Sequence, residues 1–69
     1  MKYAIMIERG QLNYSAFAPD LPGCVAVGDT LADAKREIRS AVVAHIANLR
    51  KHGDPIPPAI TSIDYAEVA

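Results

Sequence analysis

Three kinds of side chain in this 69-residue chain could do chemistry: one thiol, two imidazoles and a scatter of carboxylates. Cys24 would be a nucleophile if an imidazole activated it, and His45 and His52 are the only histidines present. Yet Cys24 opens a short apolar run, Val25-Ala26-Val27, where a cysteine reads as a small buried hydrophobe. His45 falls on the apolar stripe of a helix, and His52 at its end, where a cation compensates the helix dipole. The two histidines are seven residues apart. That is two helical turns, or roughly 10 Å, too far for both to hold one ion at about 2 Å. With no other Cys or His pair, neither a metal nor a cofactor is expected. Two-metal phosphoryl hydrolysis would need several carboxylates within about 4 Å of a metal pair. The spacing of Glu8, Asp20, Asp29 and Asp64 makes no such group. Asp20 reads as a turn former bonding its own backbone, and Asp29 as an acid favourable near a helix start. No Lys-Ser/Thr pair follows Gly23 or Gly28, which excludes a phosphate loop.

The elements that position these residues follow from periodicity. Tyr3, Ile5 and Ile7 alternate with Lys2, Ala4, Met6 and Glu8, predicting a first strand. Arg9-Gly10-Gln11-Leu12 reads as a hairpin turn into a second strand from Asn13 to Ala18, which Pro19 stops. Pro22-Gly23 is a turn pair, and Gly23 is expected to take a torsion other residues avoid, so that Gly23→Val would unfold the domain. Cys24 to Val27 predicts a third strand, and Gly28 releases the chain into a helix capped by Thr30, with Asp33 as the acidic member of a capping box. Leu31, Ala34, Ile38, Ala41, Val42, His45, Ile46 and Leu49 recur at helical spacing, so the helix should span Leu31 to His52 and stop at Gly53. Lys35, Arg36, Arg39, Arg50 and Lys51 lie off that stripe and read as a solvated face rather than a patch for an acidic partner. Pro55, Pro57 and Pro58 stiffen a connector, and Ile60 to Val68 reads as a last strand. The expected fold is therefore α+β, β-β-β-α-β, with a mixed four-stranded sheet of order 3-2-1-4 and the helix across one face. The other face and two edges stay uncovered and invite another chain.

Size and charge bound the function. The length suits a single domain spanning residues 1–69, and a fold this small buries only about 60% of its unfolded surface, so a homo-oligomer or a complex is expected. Seven Lys and Arg against eight Asp and Glu give a net charge of −1, poor bait for a polyanion. No direct nucleic-acid binding is expected. No basic leader with a long apolar core begins the chain and no run of about 18 apolar residues occurs, so the expectation is a cytoplasmic protein off the membrane. One cysteine makes no internal disulfide, which suits a reducing compartment.

The stretch Ala18-Pro19-Asp20-Leu21-Pro22-Gly23-Cys24, followed by Gly28-Asp29-Thr30-Leu31 and Asp33-Ala34, resembles the signature of the HicB-like antitoxin family. The likeness runs into the helix and on to Gly53-Asp54 and Ile56-Pro57. It implies a partial ribonuclease H-like fold without nuclease residues. It also implies a function: binding and neutralising a small basic HicA-type toxin, an RNA-cleaving protein, by covering its catalytic histidine and RNA-binding surface. Pro19, Asp20, Leu21, Pro22, Gly23, Cys24, Gly28, Asp29 and Thr30 would then build a scaffold, and some would touch the partner. Many members carry a further DNA-binding segment for which this chain has no space before Ala69, so autorepression is not expected of it. Val27 is apolar where the family often has a polar residue. The alternatives are an orphan interaction module of the same fold, or a small hydrolase built on Cys24 or on carboxylates.

Overall fold

The computed structural model describes residues 1–69. Three four-residue strands and one helix form in chain order: β1 (Met6–Arg9), β2 (Tyr14–Phe17), β3 (Val25–Gly28) and α1 (Leu31–Lys51). The sheet is antiparallel throughout, in the order β1-β2-β3. Met6 lies opposite Phe17 and Phe17 opposite Val25, while Glu8, Ser15 and Val27 make a second row. A period of two sends these six residues to one side and Ile7, Ala16 and Ala26 to the other, where α1 packs. The strand begins later than Tyr3 because β2 turns away at Ala18 and Pro19, which leaves Tyr3 to Ile5 with no ladder neighbour.

The helix obeys its local signals. Thr30 is the N-cap, its hydroxyl accepting the Asp33 amide at 3.0 Å. The Asp33 carboxylate accepts from Arg36 at 2.7 Å, an i,i+3 pair on the solvent side. At the other end His52 caps the last turn, its Nδ1–H donating to the Asn48 carbonyl, and Gly53 at φ +68° ends the helix. Ile38 and Ile46, with Ala34 buried beside them, meet Ala16, Ala18, Leu21 and Cys24 to form the core. Small residues on β2 and a glycine at the end of β3 let α1 come down close to the sheet.

The expected fourth strand does not form, so the mixed sheet of order 3-2-1-4 is corrected to three antiparallel strands followed by a helix. The cause lies 40 residues upstream. One oxygen of Asp20 accepts the amides of Ile60 and Thr61, at 3.0 and 2.9 Å, while the other accepts the Thr61 hydroxyl at 2.7 Å. In a strand, two consecutive amides point to opposite sides and serve different neighbours. Here both converge on a single acceptor, which bends the backbone out of ladder geometry. Upstream, three prolines withhold donors, and the Tyr3 hydroxyl donates to the Pro57 carbonyl, so the segment is pinned by side chains instead of by a sheet.

Asp20 therefore does more than turn its own loop. In Asp20→Ala, which removes both acceptor oxygens, amide exchange at Ile60 and Thr61 should accelerate to nearly the rate of an unstructured chain, with little change in melting temperature, because the tethered segment is exposed. Unchanged protection of both amides would refute the tether.

Candidate functional site

The corner between β2 and β3 is closed by backbone hydrogen bonds: the Ala18 amide donates to Cys24, the Leu21 amide to Ala18, and the Cys24 amide to Leu21, all within 3.1 Å. Leu21 and Cys24 turn into the core, whereas Pro19, Pro22 and Gly23 face solvent and Asp20 is half-buried. Gly23 sits at φ +81° with no atom within 4 Å of where a Cβ would be. A Cβ there meets no atom but is strained by the positive φ, so the cost of Gly23→Val is torsional, at least about 1–2 kcal/mol and larger for a branched side chain. Gly28 is the reverse case, with a backbone that no positive φ demands but the start of α1 directly above it. Asp29 is exposed, and Thr30 is occupied in capping.

This geometry is unsuited to covalent chemistry at Cys24. The thiol is 3% exposed, and burial pushes its pKa up, so it stays protonated, the form that is a poor nucleophile. His, Cys, Asp and Glu side chains nowhere gather in threes as a ligand set for a metal. Two carboxyls are held below the usual value: Asp20 by the Thr61 hydroxyl first and then the amides of Thr61 and Ile60, and Asp33 by Arg36 first and then Thr30. The ordinary carboxylate value is about 3.9. Each group binds fewer protons folded than unfolded in this range, so its contribution is complete above the unfolded value and is lost as pH falls through the lower folded one. The stability-versus-pH curve from these two groups should be flat above about pH 5 and decline below about pH 4. A melting series showing them stabilising in acid would reverse the sign.

What the fold leaves open is a surface. On the side of the sheet away from α1, Met6, Phe17 and Val25 form an apolar row across all three strands, with Val27 beside it. Val25 is 67% and Val27 62% exposed, so these are large apolar groups standing in water. Phe17, Val25 and Val27 line, with Ser15, a shallow groove of about 450 Å³. Val27 also borders a polar hollow at the β3–α1 corner, lined by Asn13, Asp29, Asp33, Arg36 and Glu37. Of the residues singled out by motif, Gly28, Asp29 and Asp33 reach this region, together with Val27. Met6, Phe17 and Val25 carry no motif. The signal for them was available in the alternation itself, since β3 is apolar on both of its faces. No helix is long and apolar enough to cross a membrane.

Residues 3–68 match the family model described as the HicB-like antitoxin of bacterial toxin–antitoxin systems. An uncharacterised 14.9 kDa protein of Haemophilus phage HP1, from its rep–hol intergenic region, is 35% identical over 57 residues. The match takes in 83% of this chain but 43% of the phage protein, so the chain spans less than half of that relative. A UPF0150 protein of Thermoplasma acidophilum is 38% identical over 58 residues, 83% of this chain and 84% of the relative. A UPF0150 protein of Synechocystis is 35% identical over 57 residues, 80% and 71% of the two. Among solved structures, a chain of the HicA3 and HicB3 toxin-antitoxin complex superimposes with a TM-score of 0.73 at 32% identity, covering 86% of this chain and 70% of that one.

Proposed function

Since the chain belongs to the HicB-like antitoxin family, we propose that it is a single, non-catalytic antitoxin domain which binds a small basic RNA-cleaving toxin of HicA type and blocks its active site and RNA-binding surface. The observation that carries this reading is the family match over residues 3–68, seconded by the likeness to a chain of a toxin–antitoxin complex. It is supported by a buried, protonated thiol and by an apolar sheet face left in water, a pattern suited to covering another molecule rather than transforming one. Blocking of this kind needs no cofactor. It would take place in the cytoplasm, where a messenger-cleaving toxin acts. The unpaired edges of β1 and β3 offer a route to self-association, which a core this small would benefit from.

The test is to co-express the chain with the toxin encoded beside its gene. The expected outcome is restored growth and co-purification of the two proteins. Absence of both would defeat the assignment.

A further inference from the structure

The charges of this molecule are divided unevenly between its helix and the rest of the chain. Helix α1 carries five of the seven cations, Lys35, Arg36, Arg39, Arg50 and Lys51, against only two acids. Everything outside α1 carries two cations against six acids. The near-neutral total thus hides a positive helix and a negative remainder. A basic protein that reads a phosphate backbone is drawn to surfaces where acids outnumber cations, as at the β3–α1 corner, where Asp29, Asp33 and Glu37 stand against Arg36 alone.

On the side of the sheet away from α1 lies the apolar row of Met6, Phe17 and Val25, with Val27 at its margin. The strands of this face bear one charged outward residue in register, Glu8, which is acidic. Val27 also lines the corner hollow, whose charged members are Asp29, Asp33, Glu37 and Arg36, with Arg36 bound to Asp33 at 2.7 Å and 3.9 Å from Glu37, which leaves the corner acidic on balance. Resting on the antitoxin reading above, we infer that the outer sheet face is where the basic toxin docks, its apolar contacts on Phe17, Val25 and Val27 and its cations against Asp29 and Glu37. The strand face alone is too small to be the whole interface. A standard interface takes about 800 Å² from each partner. Three strands of four residues, roughly 13 Å long and 5 Å apart, offer much less than that, so the occupant must spread past the strands. The adjoining acidic corner is the ground it would spread onto. Apolar residues at the centre with charges at the rim is also the usual division of labour, the centre setting lifetime and the rim setting the rate of encounter.

The probe is the small basic protein encoded beside the gene, purified with wild-type or variant chain. Val25→Glu/Val27→Glu should weaken its binding by about 100-fold, the scale of a disrupted hot spot. Both positions are exposed, so melting of the free variant should be unchanged. Val43→Glu, at a site 70% exposed on α1, should bind as wild type. Asp29→Lys should slow association, with the difference shrinking as salt is raised. If wild type itself fails to bind, the antitoxin reading falls. If wild type binds and the double variant binds equally well, the reading stands and the docking face is wrong. Sedimentation of each free variant should match wild type; a changed oligomeric state in the double variant would mean that a second copy occupies the face, and would overturn the inference.

Discussion

Gly28→Ala should be the most damaging single-methyl change in this protein, lowering stability by about 3 kcal/mol or more, at the top of the range for forced overpacking. A Cβ at residue 28 would lie 2.4 Å from the Ala34 amide nitrogen, 2.8 Å from the Asp33 carbonyl carbon and 2.9 Å from the Ala34 Cα. All three are backbone atoms of the first turn of α1, so no rotamer change relieves them. Either the end of β3 or the start of α1 must move, and the Thr30 cap and the buried Ala34 move with it. At roughly 4–8 °C per kcal/mol for a domain of this size, the melting temperature should fall by at least about 12 °C. Gly23→Ala is the matched control. It adds the same methyl group where nothing lies within 4 Å, so only the torsional cost at φ +81° remains, about 1–2 kcal/mol. Thermal melts of the two variants that placed Gly23→Ala below Gly28→Ala would show that the contact between strand end and helix start is not as described.

The pair of glycines also shows what the amino-acid sequence could disclose. A turn at Pro22-Gly23 is a local matter, and the demand for a positive φ there follows from neighbours one or two residues away. The same holds for the helix, whose Thr30 cap, apolar stripe and Gly53 stop are all written within α1 or beside it. Gly28 reads as the strand exit from its neighbours alone, but its steric role depends on how near α1 comes, a property of the packed fold. The fourth strand failed for a related reason. Ile60 to Val68 has residues that suit a strand, and nothing nearby in the chain says that Asp20 will take two of its amides. The outer face was half legible: alternation sorts Phe17, Val25 and Val27 to one side, but both sides of β3 are apolar, and periodicity cannot say which one the single helix will cover.

Ile38→Ala should cost about 2–5 kcal/mol, the range for emptying a buried aliphatic site. Ile38 is fully buried, one of two large side chains in that state, the other being Leu21. It sits in the first half of α1 and shares one cluster with Ala16, Leu21 and Cys24, so the space it vacates lies where the elements meet. Little can collapse into it, because the facing residues on the sheet, Ile7, Ala16 and Ala26, are held by the ladder. A domain of this length has a total stability of roughly 3–10 kcal/mol. The variant should therefore be partly unfolded at growth temperature, while Val43→Ala, at an exposed site on the same helix, should stay within about 0.5 kcal/mol of wild type. The loss should be largely recoverable by a partner. A ligand that binds only the folded form at 100 times its dissociation constant adds about 2.7 kcal/mol. In the presence of a saturating toxin, Ile38→Ala should thus melt close to free wild type, whereas Val25→Glu/Val27→Glu, stable on its own, should gain almost nothing from the same addition. The two variants separate what holds the fold from what holds the partner: equal rescue of both by toxin would place the partner somewhere other than the outer face of the sheet.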